Sequence, residues 1–160
     1  MKIAICPGSF DPVTLGHLDI VHRASQLFDR VIVAVLHNAD KNPSFSVEER
    51  MGFLKEVTKG YDNVEVDSFS GLLVDYAKEK GAVAVVKGLR AVSDFEYEFQ
   101  MSMINKKLYP EVETVYLNTN QDYMYLSSSV VKQIASFGGD IRNFVPEAIH
   151  DKIVDRLRNI

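Results

Sequence analysis

The sequence has few of the features that disulfide-rich domains, membrane proteins and secreted proteins require. Among its 160 residues it contains one cysteine, Cys6, which excludes an internal disulfide and fits a reducing compartment. No apolar stretch approaches the roughly 18 residues of a membrane-spanning helix. The first apolar run ends at Pro7-Gly8 and is too short for a signal peptide. We therefore expect a cytoplasmic protein without a membrane partner.

Several common site motifs are also absent. The sequence has no G-x-x-x-x-G-K-[ST] segment, which excludes a P-loop nucleotide site, and no G-x-G-x-x-G segment after its first apolar run, which argues against a dinucleotide site. It has no Cys/His cluster of the kind that holds zinc and no G-x-S-x-G elbow of an esterase. A metal held by the protein itself is therefore not expected.

The charge balance limits the kind of partner. Lysine and arginine number 18 and aspartate and glutamate 22, for a net charge of -4. This acidity argues against general nucleic-acid binding, which needs a basic face, but it permits a small anion held by a few local cations. With 46% hydrophobic and 25% charged residues, the composition is that of a globular protein, and we expect one domain over residues 1–160.

Short apolar runs alternate with helical patterns along the chain. The runs predict five buried strands, at residues 3–6, 31–36, 64–66, 82–86 and 114–117. Helices are predicted at residues 18–27, 46–57, 72–80, 94–109 and 127–137, with a last helix whose first position is Pro146. This alternation predicts an α/β fold, a single doubly wound, Rossmann-like parallel sheet of order 3-2-1-4-5 with helices on both faces. Ligands of such sheets bind beyond the carboxyl ends of the strands.

The segment after the first predicted strand combines glycine, hydroxyl and imidazole groups. It includes Gly8, Ser9 and Gly16-His17, which opens the next helix. A helix N-terminus attracts phosphate through unpaired N–H groups and its partial positive charge, and a histidine there can donate a hydrogen bond to a phosphoryl oxygen. The alternative is a Pro/Gly turn followed by a surface histidine.

Two further strand ends carry candidate phosphate-binding residues. Lys87 and Arg90 flank Gly88 after the fourth strand, although such a basic pair is often a solvated loop. Three serines, 127–129, open the helix after the fifth strand, where capping alone accounts for at least one of them. Taken alone, Lys41 would be a surface lysine and Glu98 an exposed helix carboxylate. Cys6 is expected in the core of the first strand.

These segments together resemble a known enzyme family. Residues 7–17, which contain Thr14-Leu15-Gly16-His17, resemble the T/H-x-G-H signature of the nucleotidylyltransferase superfamily. Residues 87–98 and 127–132 are more specific and resemble bacterial phosphopantetheine adenylyltransferases. The resemblance covers essentially the whole chain.

The resemblance implies a reaction, a metal and an assembly. The reaction is transfer of AMP from ATP to 4'-phosphopantetheine, which gives dephospho-coenzyme A and pyrophosphate in the penultimate step of coenzyme A synthesis. Since no activated nucleophile or base is evident in the sequence, we expect direct in-line attack without a covalent enzyme intermediate. The family uses magnesium with ATP and assembles as a homohexamer, a dimer of trimers.

The resemblance also implies a role for each matching position. His17 would stabilise the transition state at the α-phosphate. The positions implied for ATP binding are Ser9, Phe10, His17, Gly88, Leu89, Arg90, Glu98, Tyr123, Met124, Tyr125, Leu126, Ser127, Ser128 and Ser129. The positions implied for phosphopantetheine binding are Ser9, Lys41, Leu73 and Lys87.

Two positions depart from the family. At the position of Lys87 the family usually has arginine, and at the position of Tyr125 it usually has phenylalanine. An arginine can bind a phosphate through two hydrogen bonds, whereas a lysine is a point charge.

Two other functions stay open. One alternative is a sister nucleotidylyltransferase that uses a glycerol phosphate or nicotinate mononucleotide. The other is a module that senses ATP without catalysis, which would not need the cations Lys41, Lys87 and Arg90.

Overall fold

The computed structural model describes residues 1–38 and 42–158, apart from the side chains of residues 92 and 93. The strands of this part of the chain are β1 (Ile3–Gly8), β2 (Arg30–Leu36), β3 (Val64–Phe69), β4 (Ala84–Leu89) and β5 (Glu113–Asn118). The α-helices are α1 (Leu15–Leu27), α2 (Val47–Thr58), α3 (Leu73–Lys80), α4 (Val92–Leu108), α5 (Ser128–Ser136) and α6 (Glu147–Leu157), with a short 3-10 helix at Gln121–Tyr123.

The five strands form one parallel sheet of order β3-β2-β1-β4-β5, as predicted. After β1, the strands β2 and β3 are added on one side of it, and the chain then returns to add β4 and β5 on the other side. The strand order therefore reverses between β1 and β4, where Ala4 and Ile5 pair with Ala84 and Val85. Because neighbouring crossovers leave this point in opposite directions, a crevice opens at the carboxyl ends of β1 and β4.

The strands are buried on both faces, which explains their continuous apolar runs. Side chains of β1 and β2 alternate between two cores. Val31 and Val33 pack with α1, α2, α5 and α6 on one face, whereas Ile32 and Ala34 pack with α3 on the other. Cys6 is buried in β1 as expected. No helix among the described residues is long and apolar enough to cross a membrane.

Local signals set several helix ends as predicted. Ser46 accepts a hydrogen bond from the Glu49 N–H at 3.1 Å, while the Glu49 carboxylate accepts one from the Ser46 N–H, which completes a capping box at the start of α2. Gly81 ends α3 in the left-handed region at φ 66°. Pro146 lies one position earlier than predicted, because it caps α6 and Glu147 is its first residue.

The fourth strand is the main difference from the predicted elements. It was expected at residues 82–86 but runs from Ala84 to Leu89, so Lys87 and Gly88 lie inside the strand and not in a loop after it. Pairing with β5 explains the extension, since Lys87 is in register with Tyr116 and Gly88 with Leu117. The strand backbone, and not a loose loop, therefore positions Lys87.

Candidate active site

A cleft of about 350 Å³ lies at the carboxyl ends of β1 and β4, between the first turns of α1 and α5. It is the place that the predicted strand order selects. The cleft is lined by ten of the predicted site residues: Phe10, His17, Lys87, Gly88, Arg90, Glu98, Tyr123, Leu126, Ser127 and Ser128. The three strand-end segments therefore do meet at one site.

The other predicted site residues lie around the cleft or away from it. Ser9 and Ser129 are exposed beside lining residues, and Leu89 ends β4 half-buried. In the loop before α5, Met124 is exposed and Tyr125 is 90% exposed. Leu73 is half-buried at the start of α3, against the core on the α3 face of the sheet. Lys41 falls outside the described residues.

His17 is held by an unusual capping box at the start of α1. The Thr14 hydroxyl accepts a hydrogen bond from the His17 N–H at 3.3 Å, and the Thr14 N–H donates to His17 Nδ1 at 3.0 Å. Histidine thus takes the place that glutamate or glutamine has in the common box. Because a backbone N–H can only donate, Nδ1 accepts, and a neutral His17 ring carries its proton on Nε2.

The surroundings of His17 keep the ring uncharged. Burial, and after it the positive charge of Arg90, lowers the pKa of His17 to about 4 from an ordinary value of 6.5. The Phe10 ring stands edge-on to the imidazole with centroids 5.1 Å apart. At neutral pH His17 is therefore a neutral donor that needs no further proton to act.

The turn after β1 is shaped by two backbone features. Phe10 has a φ of 49°, in the left-handed region that a bulky residue rarely adopts. Gly8 allows the Phe10 ring to fold back, since a Cβ at this position would lie 3.1 Å from its Cε2 atom. Strain at a non-glycine residue beside a cleft is typical of a site that the surrounding structure holds in place.

The β4 side of the cleft carries an ion pair. Lys87 Nζ donates to Glu98 Oε2 at 2.8 Å, and both side chains are about three-quarters buried. The Tyr116 hydroxyl donates to the Glu98 carbonyl oxygen at 2.7 Å and fastens α4 to the sheet. The interpretation of Glu98 as an exposed carboxylate is therefore wrong: the longer β4 brings Lys87 under α4, where the two side chains meet.

Arg90 and the serines connect β4, α5 and the turn after β1. Arg90 Nη1 donates to the Leu126 carbonyl oxygen at 3.0 Å, which ties the end of β4 to the segment before α5. Ser127 is the N-cap of α5 and accepts from the Val130 N–H at 3.2 Å, as the capping interpretation predicts. Ser128 Oγ donates to the Pro12 carbonyl oxygen at 2.8 Å.

Sequence reasoning missed three charged residues behind the cleft. Asp11 and Lys132 form an ion pair, and Arg50 donates to the Ser9 carbonyl oxygen at 2.8 Å. Arg50 could have been found, because it shares the buried face of α2 with Phe53 and Leu54 at helical spacing, where a charged residue is unusual. For the Asp11–Lys132 pair no local signal exists, since 121 positions separate the two residues.

The cleft offers neither a thiolate nor a ligand cluster among its described residues. Cys6 lines it, but burial raises the pKa of the thiol to about 12, so the reactive anion is not formed at neutral pH. The described residues contain no group of three or more His, Cys, Asp or Glu side chains that could hold a metal ion. The arrangement is suited to binding anions and to donating hydrogen bonds.

Curated relatives resemble the chain over nearly its whole length. A phosphopantetheine adenylyltransferase of Alkaliphilus metalliredigens is 60% identical over 149 residues, which cover 93% of this chain and 95% of the relative. One of Caldanaerobacter subterraneus subsp. tengcongensis is 58% identical over 158 residues, or 99% of each chain. One of Clostridium tetani is 55% identical over 159 residues, again 99% of each.

Solved structures share the fold at low sequence identity. A putative nicotinate-nucleotide adenylyltransferase from Vibrio parahaemolyticus aligns with a TM-score of 0.69 at 18% identity, over 99% of this chain and 93% of that one. A bifunctional NMN adenylyltransferase/ADP ribose pyrophosphatase from Francisella tularensis aligns with a TM-score of 0.72 at 15% identity, over 99% and 51%. The cytidylyltransferase-like family model matches residues 5–134. The chain therefore belongs to the cytidylyltransferase-like family and, within it, to the phosphopantetheine adenylyltransferases.

Proposed function

We propose that the chain transfers AMP from ATP to 4'-phosphopantetheine, giving dephospho-coenzyme A and pyrophosphate in coenzyme A synthesis. Support comes from relatives of 55–60% identity that carry this activity in their names. The observation that carries the proposal is the cleft itself, where a neutral His17 in the first turn of α1 lines the same space as Lys87, Arg90 and the first turn of α5. Such a site suits two polyanionic substrates.

The chemistry proposed is a direct, in-line displacement. A phosphate oxygen of phosphopantetheine attacks the α-phosphorus of ATP, a new P–O bond forms, and the bond to the β-phosphate oxygen breaks with its electron pair. Pyrophosphate then leaves. Since the attacking phosphate is already an anion, the reaction needs no base, and a buried Cys6 thiol of raised pKa is not a nucleophile. Catalysis rests on alignment and on stabilisation of charge.

His17 is proposed to stabilise charge at the α-phosphate. Its Nδ1 is occupied by the Thr14 N–H, so Nε2–H is the donor left for a ligand. With a pKa of about 4 the ring gains no second proton at neutral pH, so it acts as a neutral imidazole that donates through Nε2–H. A fixed hydrogen bond of this kind stabilises the transition state without reorganisation when charge develops.

We propose that ATP and the departing pyrophosphate contact the carboxyl ends of β1 and β4 and the start of α5. Arg90 and the first turn of α5, at serines 127–129, would receive the pyrophosphate, because a cation and a helix N-terminus both favour a departing polyanion. The nucleoside contacts are proposed for Ser9, Phe10, Gly88, Leu89, Glu98 and the segment Tyr123, Met124, Tyr125 and Leu126. A Cβ at Gly88 would lie 3.0 Å from Ile20 Cγ1, so a larger residue would crowd the Ile20 side chain of α1.

The acceptor is proposed to bind through Ser9, Lys41, Leu73 and Lys87. Lys87 is paired with Glu98 at 2.8 Å, so an arriving phosphate would share or take this cation. Because lysine is a point charge, we expect a single contact here where an arginine of the family would make two. Lys41 and Lys87 would offset the repulsion between the two polyanionic substrates.

Magnesium is proposed to enter as part of the substrate, bound to the phosphates of ATP. The described residues provide no ligand cluster of their own, and the cleft carboxylate Glu98 is occupied by Lys87. Mg²⁺ keeps several water ligands and commonly binds substrate phosphates with few protein groups, so such a site is sufficient. The residues derived above act on the phosphates directly.

A homohexamer is proposed from the family resemblance, and the exposure of α4 supports an assembly. Phe95, Phe99 and Met103 lie on one side of this helix, and they are 41%, 49% and 60% exposed. The rings of Phe95 and Phe99 stack at 5.6 Å without being covered. A continuous apolar surface of this kind marks a protein interface, and a second copy of the chain is the proposed occupant. We also propose a cytoplasmic location and one catalytic domain over residues 1–160.

The test is pyrophosphate release from ATP and magnesium with and without 4'-phosphopantetheine. We expect release that depends on this acceptor and exceeds release with nicotinate mononucleotide or glycerol 3-phosphate. Greater release with either of those acceptors would assign the chain to a sister activity. ATP binding without turnover on any acceptor would instead indicate the sensing module and overturn the proposal.

A further inference from the structure

Asp11 lies at the centre of a polar network behind the cleft. The residue is only 4% exposed. One carboxylate oxygen accepts from the Phe45 N–H at 2.9 Å, and the other accepts from the Ser44 N–H at 2.9 Å and from Lys132 Nζ. A buried carboxylate requires such partners, because a charge without them is strongly destabilising. The network therefore joins three segments that are far apart in the sequence.

Two contacts from one face of α5 reach the turn after β1. Ser128 donates to the Pro12 carbonyl oxygen at 2.8 Å, and Lys132, one helical turn later, pairs with Asp11. These residues hold the first turn of α5 against the same short turn that leads to Thr14 and His17. The relative placement of the two helix N-termini in the cleft therefore depends on this face of α5.

The third segment comes from the acceptor side of the proposed site. Ser44 and Phe45 follow Lys41 closely in the sequence, and their N–H groups donate hydrogen bonds to the Asp11 carboxylate. One carboxylate thus connects the start of α5, proposed for pyrophosphate, to the segment beside the proposed acceptor lysine. Asp11 and Lys132 do not line the cleft themselves.

We propose that the Asp11–Lys132 pair is a positioning device that aligns the N-terminus of α5 with His17 and with the acceptor side of the cleft. The proposal rests on the proposed function, because alignment matters where one phosphate must attack another in line. A misplacement of about 1 Å can cost roughly a hundredfold in rate. Loss of the pair should therefore lower kcat while ATP still binds.

The experiment compares Lys132→Met, Lys132→Arg, Asp11→Asn and the Asp11→Asn/Lys132→Met double variant. We expect Lys132→Met and Asp11→Asn each to lower kcat by roughly tenfold to a hundredfold, with the KM for ATP changed by less than about threefold, and Lys132→Arg to retain most of the rate. Because the two residues act as one unit, the double variant should be no worse than the worse single variant. If Lys132→Met fails to fold, Lys132→Gln is expected to show the same loss.

A matched control separates positioning from folding. The Asp67 carboxylate likewise accepts a hydrogen bond from the Ser68 N–H and pairs with Lys80. It lies on β3, away from the cleft. Asp67→Asn should lower the melting temperature without lowering kcat. A kcat for Lys132→Met within twofold of wild type would overturn the proposal. A normal kcat for Asp11→Asn together with a lowered kcat for Lys132→Met would also overturn the proposal, because Lys132 would then bind phosphate directly and not act through Asp11.

Hydrogen exchange gives a readout that does not depend on the reaction. Amides at the start of α5, residues 130–132, should exchange faster in both single variants than in wild type or Asp67→Asn. If wild type released no acceptor-dependent pyrophosphate, the proposed function would fail, while faster exchange would still support the structural link. Unchanged exchange in both variants would overturn the link, whatever the reaction.

Discussion

The two sides of the cleft are built in opposite ways. On the β1 side, which is the turn after β1 with the start of α1, Phe10, Val13 and Thr14 are each 5% exposed or less. On the β4 side, which is the end of β4 with α4, every described residue of α4 is at least partly exposed, and several of its large apolar residues face outward. One side is complete within the chain, and the other has an uncovered helix.

The difference assigns different tasks to the two sides. The β1 side fixes His17 through Thr14, Phe10 and the buried network behind them, so its geometry is present before substrates bind. The β4 side carries the pair of Lys87 on β4 and Glu98 on α4, a helix that Tyr116 ties to the sheet, and we expect substrates to rearrange this pair. We expect kcat to depend on the β1 side. We expect affinity for the acceptor and oligomeric assembly to depend on the β4 side.

The largest expected effect is that of His17→Ala. Removal of one preorganised donor costs about 2.7–4 kcal/mol, or roughly a hundredfold to a thousandfold in kcat. Steady-state kinetics should show this loss with the affinity for ATP changed only a few-fold. Near-normal turnover by the purified, folded variant would remove His17 from the transition state and contradict the assignment of rate to the β1 side.

Lys87→Ala should act on the acceptor instead. Loss of a charge-assisted hydrogen bond costs about 1.5–3 kcal/mol, so the KM for phosphopantetheine should rise roughly tenfold or more and exceed any rise for ATP. Lys106→Ala is the matched control, because Lys106 lies on α4 and pairs with Glu113 outside the cleft. An unchanged acceptor dependence would exclude Lys87 from the site.

The pH dependence of stability tests the lowered pKa of His17. Its folded-state pKa of about 4 lies below the unfolded value of 6.5, so between these values the unfolded chain takes up a proton that the folded chain does not. Stability from this group is complete above pH 6.5 and is lost as pH falls toward 4, by at most about 2 kcal/mol between pH 7 and 5. The free energy of unfolding of His17→Gln, measured with denaturant at several pH values, should lack this part of the pH dependence. A pH dependence identical to that of wild type would contradict the lowered pKa of His17.

The α4 surface should have the smallest effect on turnover. Phe99→Glu with Met103→Glu places charges on the exposed apolar face and should shift the assembly to smaller species in light scattering. We expect kcat to fall only several-fold, because the β1 side does not need a partner. Leu27→Glu is the control, as Leu27 is 61% exposed at the end of α1. An unchanged molecular mass for the double variant would contradict α4 as the interface.

Much of the fold could be predicted because it depends on local patterns. Apolar runs at Ile3 and Val31 mark strands buried on both faces, and Ser46 and Gly81 mark helix ends through their own chemistry. The end of β4 could not be placed, because Lys87 is polar and stays in the strand only through its pairing with β5. Local patterns do not contain that information.

The site also combines features that could be predicted from the sequence with features that could not. His17, Arg90 and Ser127 were predicted near one another because the carboxyl ends of neighbouring parallel strands meet. The hydrogen bond from the Thr14 N–H to His17 has the local spacing of a capping box, but histidine replaces the usual glutamate or glutamine, so the common signature does not reveal it. The pair of Lys87 with Glu98 joins β4 to α4 and depends on the assembled structure.

The most direct test of the central claim, a preorganised neutral donor on the β1 side, is a ¹⁵N NMR titration of the His17 ring. We expect an uncharged ring from pH 8 down to about pH 5, with the proton on Nε2 and an unprotonated Nδ1 that accepts from Thr14. A ring that is protonated at pH 7, or that carries its proton on Nδ1, would contradict the account.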